Sequence, residues 1–199
     1  MKPLIFAAAL CLPTLASAQC PVGADMTKGV RFDVQLSDGY TTETFRRLDN
    51  GIVESQYVIS PGTISRLHLA QGIYMISSDF LENGVPVPDD RTTFNFDVPI
   101  AELPLPVPGN VFRSEVVAFS TIEGTRDELH EYSYSEPRVV RFGTCKYEMI
   151  EVTVRYLLVP GGFSEVYQYL PALGLSYMVQ ANGDGYIDQY NYTGIERVE

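Results

Sequence analysis

Tryptophan is absent from this 199-residue chain, and histidine is nearly so, with two. His68 and His130 stand far apart and form no HxH or HExxH spacing, so a histidine-based zinc centre lacks its ligands. His68, in Arg66-Leu67-His68-Leu69, alternates with apolar neighbours and reads as a strand surface residue. His130, in Asp127-Glu128-Leu129-His130-Glu131, reads as a solvated position. Neither has the oriented partner that a general base needs. Positive charge is also short: 14 Lys and Arg against 25 Asp and Glu give a net charge of −11. Arg46-Arg47 is the one adjacent basic pair, so the electrostatic footprint for nucleic acid or an anionic lipid surface is missing. There is no GxSxG elbow, no SxxK and no GxxxxGK[ST] loop, which removes the common nucleophile and phosphate-cradle signatures. No window of a dozen residues carries a sustained i, i+3, i+4, i+7 apolar stripe, so long amphipathic helices are not expected.

What is present begins with a leader. Lys2 precedes the apolar run Leu4–Leu12, and Ala16-Ser17-Ala18 supplies an A-x-A cleavage site, so residues 1–18 read as a signal peptide. The apolar run is shorter than the roughly 20 residues a membrane span needs, and the mature chain is expected to carry no span. Cleavage removes Cys11 and leaves Cys20 and Cys145. An even cysteine count in an exported chain implies a disulfide. Closing a loop of that length contributes roughly 5 kcal/mol on the chain-entropy model. The expected location is the periplasm or the extracellular space, most simply of a bacterial envelope.

Period-two patterning dominates the mature chain. Val30, Phe32, Val34 and Leu36 alternate with polar residues, and so do Ile150, Val152, Val154 and Tyr156. Turn dipeptides recur at Asp38-Gly39, Asn50-Gly51, Asn83-Gly84, Glu123-Gly124 and Gly161-Gly162. The pattern predicts an all-β, mainly antiparallel fold, a sandwich or partly open barrel of many short strands. One or two short helices at most are expected, with Arg126–Glu131 the candidate segment. Residues 19–199 are expected to form a single domain, divisible into sublobes 20–98 and 111–199 by the proline-rich segment 99–110. Leu69-Ala70-Gln71-Gly72-Ile73-Tyr74-Met75-Ile76 resembles Pro171-Ala172-Leu173-Gly174-Leu175-Ser176-Tyr177-Met178-Val179, which raises a duplication of the two sublobes.

Acids are too many for their number to point anywhere: Asp25, Asp33, Asp38, Asp79, Asp89, Asp90, Asp97, Glu148 and Glu151 all stand as candidates for a carboxylate pair. Tyrosine, at 13 residues, clusters in the second half. Tyr156, Tyr167, Tyr169 and Tyr177 are the candidates for lining a ligand groove. Gln180–Asn191 aligns with a calcium loop through Asn182, Asp184, the Tyr186 carbonyl and Asp188. Its first and twelfth positions are Gln180 and Asn191 where acids are required, and strand-like alternation flanks it, so a hairpin is expected there instead.

The phrase Tyr167-Gln168-Tyr169-Leu170-Pro171-Ala172-Leu173-Gly174-Leu175, followed by a hairpin, resembles the endings of small exported bacterial β-rich proteins. Some of these are similar to periplasmic carriers that hold an acyl chain against a curved sheet. The resemblance implies an exported, non-enzymatic role and assigns no functional residue. The leading expectation is a β protein, without cofactor or metal, that binds an apolar or glycan ligand or an envelope protein through a sheet face or groove. The alternatives are a carboxylate-dependent hydrolase and a weak calcium-binding secreted protein.

Overall fold

The computed structural model describes residues 19–37 and 39–199. Residues 1–18, where the sequence reading places a signal peptide, and Asp38 lie outside the described residues. Alternating sequence becomes fourteen strands: β1 Val30–Leu36, β2 Gly39–Arg47, β3 Val53–Ser60, β4 Thr63–Ala70, β5 Tyr74–Glu82, β6 Val85–Phe96, β7 Val111–Ser120, β8 Gly124–Tyr134, β9 Arg138–Phe142, β10 Cys145–Tyr156, β11 Phe163–Leu170, β12 Leu175–Gly183, β13 Tyr186–Gln189 and β14 Asn191–Arg197. The two other regular elements are 3-10 turns at Gly23–Thr27 and Ile100–Glu102. The all-β, antiparallel expectation is met.

The strands form one nearly closed, barrel-like sheet. Neighbours run β1 to β8 in sequence order, then β10, β11, β12 and β13, all antiparallel, and β14 returns to pair with β1. Between β13 and β14 only Tyr190 intervenes, and its N–H donates to Val179 O at 3.0 Å. One chain segment thus leaves β12 and joins β1. β9 pairs with the first half of β10 alone. β10 changes its buried side between Met149 and Ile150: Cys145, Tyr147 and Met149 are buried beside β9, and Ile150, Val152 and Val154 beside β8 and β11. The proline segment connects β6 to β7, which themselves pair. The sublobes of the sequence reading are therefore successive runs of one sheet.

The hydrophobic interior falls into two main clusters that share their lids. Phe32, Phe45, Val53 and Leu69 from β1–β4 gather with Leu170, Leu175 and Tyr177 from the β11–β12 hairpin. Tyr132, Tyr134, Ile150, Val152 and Tyr169 from β8–β11 gather with Ala70, Ile73 and Tyr74 from the β4–β5 hairpin. Each hairpin tip thus closes the cluster built mainly by the other run of strands. The two tips touch where they cross. Ser176 N–H and Oγ–H both donate to Gly72 O, at 2.7 and 2.8 Å, and Arg47 caps the crossing through Leu173 O at 2.8 Å. The resemblance between these two segments in sequence is matched by this contact in space.

Outward positions follow a second rule. Arg31 and Glu196, Arg46 and Glu54, Arg66 and Asp79, and Glu131 with both Arg113 and Arg155 are ion pairs between residues directly opposite on neighbouring strands. Such pairs contribute modestly each and fix register collectively. This is the reverse of a lipid-facing apolar band. No helix among the described residues is long and apolar enough to cross a membrane.

Two local expectations are corrected. Arg126–Glu131 is not a helix but the middle of β8, paired with β7 from Val111↔Ser133 to Ser120↔Gly124. Ladder pairing with β7 and β10 overrides a weak local preference. His130 is accordingly not solvated: it lies on the inward face with Glu128, Tyr132 and Tyr134 and is 3% exposed.

Cys20 and Cys145 are disulfide-bonded, and Tyr147 Oη donates to Pro21 O at 2.8 Å beside the bridge. Replacing both cysteines by serine is expected to lower unfolding free energy by about 4–5 kcal/mol in urea titration. A sharper test concerns the crossing. Gly72 and Gly51 both have φ near +75° (71° and 81°), but only at Gly72 would a Cβ overlap the Gly174 carbonyl and lie 2.9 Å from Leu175 Cα. Gly72→Ala should therefore cost at least about 2 kcal/mol more than Gly51→Ala. Equal losses would show that the crossing does not constrain the fold.

Candidate functional site

Because the strands alternate in direction, the turns around 61–62, 83–84, 121–123, 157–162 and 184–185 share one end of the barrel with the end of β1 and the start of β2. The other end is filled by the crossing tips, the N-terminal 3-10 turn, the β9–β10 hairpin and the proline segment. There Leu103 is buried and Pro104 O accepts the Tyr74 hydroxyl at 2.6 Å. Side chains in the sealed half are mostly buried, whereas Tyr57, Tyr156, Phe163, Glu165, Tyr167, Tyr190 and Tyr192 toward the turn end are half-buried. This open end combines burial, ionisable groups and residual access, which is where binding chemistry concentrates.

Two carboxylates organise it. Glu43 in β2 accepts the Ser55 hydroxyl on Oε1 and the Tyr192 hydroxyl on Oε2. Glu165 in β11 accepts Tyr156 Oη–H at 2.6 Å and Tyr167 Oη–H at 2.8 Å, both on Oε2. Beside Glu165, His130 Nε2 pairs with Glu128 Oε2 at 2.5 Å, and Arg126 Nε holds Glu128 Oε1 at 2.6 Å. The rings pack in two groups. His130 lies edge-on to Tyr156 with centroids 4.6 Å apart, Tyr156 meets Phe163 at 5.1 Å, and Tyr57 meets Tyr190 at 6.2 Å.

Burial pushes the carboxyl groups of Glu43 and Glu165 above their ordinary range, against the lowering effect of the hydroxyls that donate to them. Burial likewise holds the Tyr156, Tyr167 and Tyr192 hydroxyls protonated, and the nearby carboxylates reinforce this. Tyr167 and Tyr190 each feel the charge of both Glu43 and Glu165, so the two acids belong to one electrostatic neighbourhood. Glu128 differs: burial raises its pKa, but the bonds from His130 and Arg126 outweigh that and hold it below the usual carboxylate value.

Of the four tyrosines singled out from sequence, Tyr156 and Tyr167 meet at Glu165. Tyr169 lies deeper, in the cluster with Ile150 and Val152. Tyr177 packs against Phe32, Phe142 and Tyr192, with its hydroxyl donated to Gln168 Oε1. The segment aligned with a calcium loop is the β12–β13 hairpin. Asn182 Oδ1 accepts Gln180 Nε2–H at 2.6 Å, and the Tyr186 ring covers Gly183. Among the described residues no group of three His, Cys, Asp or Glu is placed to hold a metal ion. A separate open groove of about 900 Å³ lies at the sealed end beside the disulfide, lined by Asp25, Lys28, Cys145 and Arg197 among others. Asp25 and Arg197 pair within it at 3.1 Å.

No protein-family model, curated protein or solved structure matches this chain.

Sequence reading passed over Glu43, Glu165, Ser55 and the Glu128–His130 pair. The signal was available in register. Glu43 alternates with Thr41 and Phe45, and Glu165 with Phe163, Tyr167 and Tyr169, so each acid interrupts an inward face.

These environments fix a pH dependence. A raised folded pKa stabilises the fold below the unfolded carboxylate value, near 4.5, and that contribution is lost as pH rises through the folded value. Removing the charge abolishes the loss. Glu43→Gln should melt higher relative to the unsubstituted protein at pH 8 than at pH 4, by several degrees in calorimetry. A Glu43→Gln difference that does not change with pH would refute the assignment.

Proposed function

We propose that this chain is an exported, soluble, non-enzymatic binding protein that receives a small ligand at the tyrosine-lined open end of its barrel. One observation carries the reading: both tyrosine hydroxyls that reach Glu165 converge on Oε2, and Oε1 receives no hydrogen bond from the described residues. Glu165 is half-buried, and its Oε1 is not among the fully buried side-chain atoms that lack a partner. An acceptor that is presented rather than consumed, set among half-buried aromatic rings, suits recognition of a polar group on an apolar or glycan body.

A carboxylate hydrolase is the competing reading, favoured by the raised pKa of Glu165, which suits a general acid. It needs a second working carboxylate. Glu43 is 6% exposed with both oxygens engaged, and Glu128 is held by His130 and Arg126. This supports binding over hydrolysis. The disulfide and the cross-strand ion pairs outside support export as a soluble protein. The test is a fragment screen followed by ring-carbon NMR of tyrosine-labelled protein. Saturable shifts at Tyr156, Tyr167 and Tyr190 are expected. Shifts confined to Tyr147, which lies beside Asp25 and Arg197 of the basal groove, would overturn the reading.

A further inference from the structure

The open end carries two acids, Glu43 and Glu165, that no basic side chain among the described residues pairs with, set among aromatic rings. We infer that it selects a small organic cation, an alkylammonium head group, held by Glu165 Oε1 and the rings of the tyrosines around it. The inference rests on the binding reading above and gives its ligand class.

Three observations on the molecule lead there. First, among the described residues no arginine, lysine or histidine forms an ion pair with Glu43 or Glu165, although most other buried acids have one: Glu54 with Arg46, Asp79 with Arg66, Glu128 with Arg126, Glu131 with Arg113. The fold supplies cations to its acids on the outer face and at Glu128, and stops at these two. Second, the hydrogen bonds around Glu165 are lopsided. Two donors crowd Oε2, and Oε1 receives none. A bound ammonium would supply the missing donor or, if fully alkylated, the missing charge. Third, the groups around Glu165 are phenols, whose negative ring faces attract cations: Tyr156 and Tyr167 donate to it, and Tyr190, edge-on to Tyr57, feels its charge. Ring faces and a desolvated carboxylate together are the recognised chemistry for ammonium groups, and neither attracts an anion.

The groups facing Glu165 from the surrounding strands are consistent with this. They are Tyr156 from β10, Tyr167 from its own strand, and His130 with Glu128 from β8. His130 is already committed to Glu128 at 2.5 Å. Burial raises the pKa of Glu165 despite two donated hydrogen bonds, as expected where a positive charge is wanting.

The deciding experiment compares choline with 3,3-dimethylbutan-1-ol, its uncharged carbon isostere, on the intact mature protein, by isothermal titration and tyrosine ring NMR. Choline is expected to bind at least tenfold more tightly, with shifts at Tyr156 and Tyr167. Glu165→Gln, folded to the same circular dichroism spectrum, should reduce that preference to about onefold. If both probes bind equally at these tyrosines, the cation inference fails while the binding reading stands. If neither shifts them while other fragments do, the inference fails in the same way. If no ligand of any charge shifts them, both fail. Because the isostere comparison is made on the unsubstituted protein, the inference stays testable even where a Glu165 variant does not fold.

Discussion

The close crossing of two hairpin turns is the constraint on which the rest of this structure depends. At Gly72 the backbone runs against Gly174 and Leu175 with no room for a side chain, and Ser176 fastens the contact twice through the Gly72 carbonyl. The crossing inserts Ala70 and Tyr74 into the cluster formed by β8–β11, and Leu170, Leu175 and Tyr177 into the cluster formed by β1–β4. Neither run of strands therefore completes its own core. A twelve-residue-long strand such as β10 can bend and switch its buried side because both of its surroundings are supplied by this exchange. Interiors packed to crystal-like density transmit such a constraint over the whole domain.

The same crossing decides which end of the barrel is sealed. The N-terminal 3-10 turn, the proline segment, the disulfide and the β9–β10 hairpin all gather at the end where the tips meet, and the interior there is mainly apolar. Toward the opposite end the inward faces turn polar and aromatic. Glu43 comes from the first run of strands and Glu165 from the second, and Tyr167 and Tyr190 sense both. The open end is thus a property of the closed sheet and not of either half.

How much of this the sequence carried can be argued residue by residue. Strand character was legible because Val30-Arg31-Phe32-Asp33-Val34 and Ile150–Tyr156 alternate cleanly, and the turns because their glycines mark them. The Cys20–Cys145 bridge was legible from the two cysteines that remain once residues 1–18 are set aside as an expected leader. The likeness of the Gly72 and Gly174 segments was legible too, but not their contact, since a crossing depends on how two distant hairpins fold back. Arg126–Glu131 was misread because a polar, mixed-charge stretch shows no period until its neighbours in β7 and β10 pair with it. His130 followed from the same error: its burial is set by register with Tyr156, which local sequence does not contain. Tyr169 and Tyr177 were grouped with Tyr156 and Tyr167 by proximity along the chain. The exchange of tips sends Tyr177 into the cluster of β1–β4, whereas Tyr169 is buried in the cluster against whose edge Tyr156 and Tyr167 pack.

A buried carboxylate without a cation is costly, since the charged form loses its hydration and only hydrogen bonds replace it. Elsewhere this chain meets that cost with arginine placed directly across a strand, repeatedly and with the same geometry. Arginine is therefore not scarce where the fold uses it for register. At Glu43 and Glu165 the substitute is hydroxyl donation from Ser55, Tyr192, Tyr156 and Tyr167, which stabilises a carboxylate less than a guanidinium does. For Glu43 the donors cover both oxygens, and a structural role suffices. For Glu165 they cover one oxygen, and among the described residues the other receives no donor, in a half-buried side chain beside Tyr156 and Tyr167. Preorganised polar groups that are incompletely satisfied by their own protein are the form a binding site takes before its ligand arrives. That asymmetry between two otherwise similar acids is what separates a packing residue from a recognition residue in this fold.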